Sequence, residues 1–248
     1  MVKFLFVIAH ADPHATSTSH QLARSAEAHL KSKGHEVRLV DLINCGFKEC
    51  ASTDDFVKQL TPNDRFNYAQ QQSPLDNLSS TIREQQENLL WCNNLIIFGP
   101  VWFYHLPACL YAYIERVFTA GWAYNFNIAR EELPLYGRKA LIVATTGAEG
   151  GYYSHGKGLA SLDALFYSTT YGIHGCGFEV YRSQGIWSAA HLPPEQFEKK
   201  CQQLNLALEK LEKRPLLPFS DPGKKAGTDE IETFIPLQNI ELEDAANA

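Results

Sequence analysis

The stretch LIIFGPVWFYHLPACLYAYIERVFTAGWAY, residues Leu95–Tyr124, decides the fold. It begins with four apolar residues, a run typical of a buried parallel strand, and a Gly-Pro pair ends that run. An aromatic loop follows, made of Trp102, Phe103 and Tyr104. Open α/β sheets bind flat ligands at the carboxyl ends of central strands, so this loop is a candidate ring-stacking site. The alternative is that the three aromatic side chains pack a core, since aromatic residues bury well anywhere.

The rest of the chain alternates between strand-like and helix-like segments. The predicted strands are Lys3–Ala9, Glu36–Leu42, Leu95–Phe98, Lys139–Thr146 and Phe178–Tyr181, with Ile186 as an alternative end for the last. The predicted helices are Ser19–Lys33, Thr81–Trp91, Pro107–Phe118, Leu159–Tyr171 and Pro193–Lys213. Strands that alternate with helices indicate a doubly wound α/β domain, with helices on both faces of a parallel sheet. Five parallel strands fit the flavodoxin-like order 2-1-3-4-5 better than a six-stranded dinucleotide-binding fold.

Length and composition indicate a globular chain and exclude several function classes. The 248 residues are 45% apolar, enough for a sizeable core in one large domain, with or without an appendage. A net charge of −6 does not resemble the basic surface of a nucleic-acid-binding protein. The six cysteines form no CxxC pair and no zinc-finger spacing, which favours free thiols, a reducing compartment and no metal site. The sequence shows no signal-peptide pattern and no run near the roughly 18 apolar residues of a membrane span, so we expect a cytoplasmic location without membrane insertion.

The C-terminal part of the chain differs from the rest in charge. Residues 215–248 contain seven acidic and two basic residues, and therefore carry −5 of the net −6. We therefore predict a cofactor-binding domain over residues 1–214 and an acidic C-terminal tail over residues 215–248. The tail is either a solvated appendage or a segment that docks on the body of the chain or on a partner subunit. The apolar residues that could dock are Phe234, Ile235, Leu237 and Ile240.

A loop of small hydroxyl residues follows the first predicted strand and opens the first predicted helix. It contains His10 and ends in Ser17, Thr18 and Ser19. Backbone N–H groups at a helix N-terminus bind anions, and the helix dipole favours negative charge, so the loop is a candidate phosphate site. The usual nucleotide motifs, G-x-G-x-x-G and G-x-x-x-x-G-K-[ST], are absent from the sequence. The alternatives are that a serine only caps the helix and that His10 is a core histidine.

A glycine-rich loop follows the fourth predicted strand. Its candidate residues are Thr145, Thr146, Gly147, Gly150, Tyr153 and His155. Glycine lets backbone approach a ligand closely, and Tyr153 and His155 can donate hydrogen bonds to charge that develops on the ligand. The alternative is a mobile loop with incidental tyrosines. Because the three loops follow central parallel strands, we expect them to converge on one rim, which predicts a planar cofactor that carries phosphate.

Together these motifs resemble those of the flavodoxin-like NAD(P)H:quinone oxidoreductases, the mammalian-type quinone reductases and their bacterial relatives. The resemblance extends from about Lys3 to Leu211 and is most specific in PVWFYHLPA…ERVFTAGWAY, TTGAEGGYYS and GIHGCGFEV. It implies a tightly bound FAD, with FMN as the alternative, and a homodimer. It also implies ping-pong, two-electron hydride transfer from NADH or NADPH to a quinone. The alternative functions are a flavoprotein ancillary subunit of a partner such as a potassium-efflux system, and a flavodoxin-type electron carrier.

Matched by position, the resemblance assigns roles to the residues of the three loops. The implied cofactor-binding residues are His10, Ser17, Thr18, Ser19, Pro100, Val101, Trp102, Phe103, Tyr104, Thr145, Thr146, Gly147, Gly150 and Tyr153. The implied walls of the substrate pocket, some of them supplied by the partner subunit, are Phe103, Tyr104, Tyr124, Phe126 and Phe178.

The sequence departs from the family at the proton donor. The family's catalytic histidine falls at Leu159, which cannot donate a proton. We therefore predict Tyr153 and His155 as the catalytic residues, because histidine titrates near neutral pH and His155 lies in the same loop as the tyrosine. His105 is the rival candidate, and the alternative for His155 is an ordinary loop histidine that faces solvent. An arginine that helps the family hold the FAD diphosphate falls at Phe197.

Overall fold

The computed structural model describes residues 1–58, 65–154, 157–158, 160–219 and 237–247. Its strands are β1 (Lys3–Ile8), β2 (Glu36–Asp41), β3 (Asn94–Pro100), β4 (Lys139–Thr145), β5 (Glu179–Val180) and β6 (Gln184–Ile186). Its helices are α1 (Thr18–Ser32), α2 (Tyr68–Gln72), α3 (Ser80–Trp91), α4 (Ala108–Val117), α5 (Leu162–Leu165), α6 (Tyr167–Gly175), α7 (Pro194–Glu209) and α8 (Leu242–Asn247). Four residues named in the sequence predictions lie outside the described residues: His155, Leu159, Phe234 and Ile235.

The sheet has the predicted parallel arrangement. Its strands lie in the order β2-β1-β3-β4-β5, and all of these neighbours run parallel. Alternate residues of β1 enter two separate cores: Leu5 and Val7 pack on one face, and Phe4 and Phe6 on the other. The first core lies under α3, α4 and α6, and the second under α1 and α7. Helices therefore cover both faces, and the flavodoxin-like α/β fold is confirmed.

The sheet has six strands rather than the predicted five, because its last strand is interrupted. β5 pairs with the amino half of β4 and β6 with its carboxyl half. Between them, at residues 182 and 183, the backbone N–H groups bond to partners outside the sheet. Arg182 N donates to Pro215 O at 3.0 Å, and Ser183 N donates to the Asp163 carboxylate at 2.7 Å. These partners replace ladder hydrogen bonds and divide one predicted strand into two.

The polar segment Cys45–Ser79 is fixed to α4 in its described part. Arg116 on α4 donates to Asp55 Oδ1 from two nitrogens, at 2.9 and 2.6 Å, and both residues are buried. The Tyr68 hydroxyl donates to the same carboxylate at 2.8 Å, and the Arg116 guanidinium lies 4.3 Å from the centre of the Phe47 ring. The removal of either charged partner would leave the other buried and unpaired, so this pair ties the segment to the helix.

Residues 237–247 return to the body of the chain. Ile240 pairs in parallel with Gln184 of β6, and Leu242 and Ala246 of α8 are buried. Glu243 forms an ion pair of 2.5 Å with a lysine of α7. Of the two alternatives for the acidic tail, this described part follows the second, because it docks on the body.

Two further properties bear on the expectations from composition. All six cysteines are free, and four of them are buried, which agrees with the prediction of free thiols. Within the ranges that the structure describes, no helix has both the length and the apolar character that a membrane crossing requires.

Candidate active site

The loop between β1 and α1 is organised by Asp12. Its carboxylate accepts hydrogen bonds from the backbone N–H groups of His14, Thr16 and Ser17 at 2.9, 2.6 and 2.8 Å, and from the Thr16 hydroxyl at 3.0 Å. These bonds, with that from His14 first among them, hold the pKa of Asp12 well below its usual range because they favour the charged form. The loop is therefore ordered by its own hydrogen bonds.

Ser17 caps α1 and begins a chain of three side chains. Its Oγ accepts from the backbone N–H of His20 at 3.4 Å, so the capping role is present. The same oxygen lies 2.6 Å from His20 Nδ1, and His20 Nε2 lies 2.9 Å from Asp41 Oδ2. His20 is 1% exposed, so this chain is an internal part of the loop. The sequence reasoning missed His20 and Asp41, although the position of His20, three residues after the cap, was a readable signal.

His10 carries its ring proton on Nε2. Its Nδ1 accepts the backbone N–H of Asp12 at 3.1 Å, so the neutral ring carries its proton on Nε2. Burial, and then the neighbouring His20, lowers the pKa of His10, which favours that neutral ring. The ligand atoms of His10, Asp12 and His20 lie within 4.8 Å of one another. Those of Asp12 and His20 already take part in protein hydrogen bonds, which favours anion recognition over metal coordination.

The three predicted loops meet at one rim of the sheet. Ser19 Oγ lies 3.2 Å from Thr145 Oγ1, which joins the first loop to the end of β4. Val101 N donates to Thr145 O at 2.8 Å, which joins the aromatic loop to the same residue. The rings of His10 and Trp102 lie 5.2 Å apart and connect the first loop to the aromatic loop. The rim therefore has the composition that the sequence predicts for a cofactor site.

The aromatic loop projects from the rim instead of packing a core. Trp102, Phe103 and Tyr104 are 42%, 86% and 56% exposed, whereas Pro100, at the end of β3, is buried. Phe103 and Tyr104 have φ angles of 47° and 65°, in the left-handed region that bulky residues rarely adopt. Two backbone hydrogen bonds between Trp102 and His105 hold this turn closed. Strained backbone that carries exposed rings indicates a functional role for the loop.

The loop after β4 combines buried hydroxyl residues with an open glycine. Thr145 and Thr146 are buried, and Thr146 is tied to β6 through its N–H, which donates to Ile186 O at 3.0 Å. Gly147 is exposed, and a Cβ built on it would meet nothing within 4 Å. A ligand edge can therefore approach the backbone at this point.

Tyr153 lies at the far end of the same loop and is 5% exposed. Burial, and then the neighbouring Tyr104, raises the pKa of Tyr153, so the hydroxyl keeps its proton at neutral pH. Its ring stacks on Trp187, with centroids 5.3 Å apart and an interplanar angle of 21°. The sequence reasoning missed Trp187. The available signal was its position directly after Ile186, the alternative end of the fifth predicted strand, which places it at the same rim.

Three of the predicted pocket walls lie away from these loops. Tyr124 and Phe126 line a cleft of about 890 Å³, whose other described lining residues come mainly from α2, α4 and α6. The residues that line it do not include the phosphate, aromatic or glycine loops. Phe178 is wholly buried and packs 6.2 Å from Phe118. Within one chain, the structure therefore brings Phe103 and Tyr104 to the rim but separates the other three walls from it.

The sheet topology defines a flavodoxin-like α/β protein, and the three loops form a candidate site at the carboxyl ends of its strands. Residues 2–211 match the family model described as "Flavodoxin-like fold". The chain belongs to this flavodoxin-like family.

Several known proteins are similar to this chain. NAD(P)H dehydrogenase [quinone] 1 of Rattus norvegicus is 30% identical over 195 residues, which cover 77% of this chain and 70% of the relative. Ribosyldihydronicotinamide dehydrogenase [quinone] of Homo sapiens is 27% identical over 189 residues, 73% of this chain and 80% of the relative. Among solved structures, a candidate quinone reductase from Klebsiella pneumoniae superposes with a TM-score of 0.80 at 25% identity, covering 91% of this chain and 90% of the other.

Proposed function

We propose that the protein is a flavin-dependent NAD(P)H:quinone oxidoreductase, which passes two electrons as a hydride from NADH or NADPH to a quinone. The observation that carries the proposal is the meeting of an anion-type loop, exposed strained aromatic residues and an open glycine at one rim. The names of the similar rat and human proteins, both of them quinone dehydrogenases, support the reaction type.

The residues at the rim fit a flavin. The first turn of α1, with Thr18, and the ring N–H of His10 suit a phosphate. Ser19 is buried, and its hydroxyl lies beside Thr145 Oγ1 instead. The exposed ring of Phe103 suits a planar ring system, and Gly147 leaves room for its edge. When bound, the flavin supplies the hydride chemistry. We assign FAD rather than FMN on the family resemblance.

The chain's own contribution is orientation and charge stabilisation. The Tyr153 hydroxyl stays protonated, because burial raises its pKa, and can donate a hydrogen bond to negative charge at the ring edge. The backbone of the glycine-rich loop lies beside it and can act in the same way. His155 is the proposed second catalytic residue, as a proton donor to the quinol oxygen.

Initial-rate kinetics test the proposal. We expect the flavin-loaded protein to oxidise NADH or NADPH over many turnovers when a simple quinone is present, with parallel lines in double-reciprocal plots because both substrates use one slot in turn. Loss of the exposed Phe103 ring in Phe103→Ala should lower kcat/KM by about twofold to tenfold, the range expected for aromatic stacking. Phe66→Ala, at another exposed ring, is the matched control. Flavin-loaded protein without quinone-dependent oxidation of either nicotinamide would contradict the proposal.

A homodimer is proposed on the same basis. Phe126 is 96% exposed and borders the apolar cleft between α2, α4 and α6, and exposed apolar surface of this kind is typical of an interface. The resemblance implies that such residues complete the site of the partner subunit. Light scattering at micromolar concentration should give twice the mass of the chain. A fully active monomer would contradict the proposal.

We also propose a cytoplasmic location. The support comes from the six free cysteines, which suit a reducing compartment.

A further inference from the structure

Trp187 fills a slot that only glycine allows. A Cβ added to Gly150 would lie 2.7 Å from Trp187 Nε1, and one added to Gly185 would lie 2.2 Å from the same indole. The indole also stacks on Tyr153. The indole therefore packs against the glycine loop, residues 147–154, and supports the tyrosine proposed to stabilise charge on the flavin.

The C-terminal strap, residues 237–247, contacts both members of this stacked pair. Trp187 Nε1 donates to Glu241 Oε2 at 3.0 Å. Asn239 Nδ2 donates to the carbonyl oxygen of Tyr153 at 2.6 Å, and Asn239 Oδ1 accepts from Leu162 N at 3.2 Å. One amide side chain thus joins the glycine loop to the start of α5, and one carboxylate holds the edge of the indole.

The strap has anchors of its own, independent of these two contacts. Ile240 pairs with Gln184, whose side chain also donates to Ile240 O at 3.4 Å. Leu242 is buried in the core under α7, and Glu243 is paired with Lys200. The strap is therefore expected to stay docked when Asn239 or Glu241 alone is changed.

We propose that the C-terminal strap is part of the active site, and that Asn239 and Glu241 are positioning residues that fix the Tyr153–Trp187 pair. The physical reason is that a hydrogen-bond donor such as the Tyr153 hydroxyl must be held within about 0.5 Å of its productive position. A loop with several glycines cannot hold it there alone, because glycine gains the most conformational freedom when it is not restrained. The inference rests on the proposed function for the catalytic meaning of Tyr153, but the contacts that it uses belong to the chain itself.

Amide hydrogen exchange of residues 147–154 tests the proposal in the flavin-free protein. Asn239→Ala should speed exchange in this loop by about tenfold, the effect expected when a buried hydrogen-bond partner is lost. Glu241→Ala should speed it by about threefold, because that contact is more exposed. Glu241→Gln should restore protection, since its amide oxygen can still accept from the indole. Glu243→Ala is the matched control: it breaks the ion pair with Lys200 on the same strap and should leave the exchange of residues 147–154 unchanged.

Flavin reduction supplies the second measurement. In flavin-loaded Asn239→Ala the rate of flavin reduction should fall about tenfold, with flavin content and KM little changed. The reason is that the substitution moves Tyr153 but does not weaken the binding of the flavin or the nicotinamide. In a Trp187→Phe background, Glu241→Ala should have no further effect on loop exchange. Loop exchange in both alanine variants equal to that of the control would overturn the proposal, whatever the protein's activity. A protein that binds no flavin would instead refute the proposed function and leave the exchange result standing.

Discussion

Two parts of the rim are built in opposite ways: the phosphate end, formed by the loop between β1 and α1, and the ring end, formed by the aromatic loop and the glycine loop. At the phosphate end, polar groups satisfy one another within residues 10–41: Asp12 accepts three backbone N–H groups, and His20 lies between a serine and an aspartate. At the ring end, Phe103 is exposed on strained backbone, and Tyr153 is held by a segment 86 residues further along the chain. A charged group is stabilised by hydrogen-bond donors whose positions are already fixed, whereas a planar ring is bound by surfaces that distant segments can supply. The phosphate end is therefore built from nearby residues, and the ring end depends on segments far apart in the chain.

The largest expected effect lies at the ring end, at Tyr153. Tyr153→Phe keeps the ring that stacks on Trp187 and removes only the hydroxyl. Hydrogen-bond donors of this kind contribute about 10²–10⁴-fold to rate, so stopped-flow reduction of the flavin should slow by that factor while the flavin stays bound. Reduction within about twofold of the wild type would remove Tyr153 from the mechanism.

Two predicted pocket walls sharpen the contrast between core and surface. Phe178 is wholly buried and Phe126 is 96% exposed. Phe178→Ala should lower the free energy of unfolding by about 3–5 kcal/mol through the cavity that it leaves. Phe126→Ala should change it by no more than about 0.5 kcal/mol in the isolated chain. Urea titrations of both variants at one low protein concentration measure these changes. Equal losses of unfolding free energy would show that the burial of the two rings is wrongly assigned.

A smaller effect is expected at the phosphate end. Ser17→Ala removes the cap of α1 and one end of the chain to Asp41, and loss of a serine cap typically destabilises by about 1 kcal/mol. Ser32→Ala, at the exposed far end of the same helix, should cost less than about 0.5 kcal/mol. Thermal unfolding of the pair gives the comparison. The phosphate end would not be ordered by Ser17 if both variants unfolded alike.

The smallest effect concerns pH and Asp12. Because backbone hydrogen bonds lower the pKa of Asp12 in the folded protein, its stabilising effect is present above the ordinary carboxyl pKa of about 3.9 and is lost as pH falls through the lower folded value. The difference in free energy of unfolding between wild type and Asp12→Asn should therefore be constant from pH 7 to about pH 4 and shrink at lower pH. A difference that varies between pH 5 and 7 would assign the effect to another group.

The order of the sheet and the place of the rim were predictable because they follow from local patterns. Apolar runs alternate with amphipathic segments, and parallel strands carry their loops on one edge, so the convergence of Ser19, Val101 and Thr145 needed no long-range information. The exposure of the aromatic loop was left open. Aromatic residues suit a core and a surface equally well by composition, and only the folded structure, in which Phe103 is 86% exposed, separates the two.

The contacts that could not be predicted join residues far apart in the chain. Asp163 interrupts the last strand from 20 positions away, and Glu241 reaches Trp187 across 54. His20 meets Asp41 only because β1 and β2 pair in parallel, with Ile8 opposite Asp41. The periodicity of each segment shows that it is a strand or a loop, but it does not show which side chain of a distant segment will fill a slot.

The claim that this rim holds a flavin is tested most directly by the cofactor that the protein releases. We predict that the purified protein is yellow and that denaturation releases FAD, identified by mass and absorbance spectrum, at one per chain. Release of FMN would correct the assignment of the flavin and keep the site. A colourless protein that binds neither FAD nor FMN on reconstitution would contradict the account.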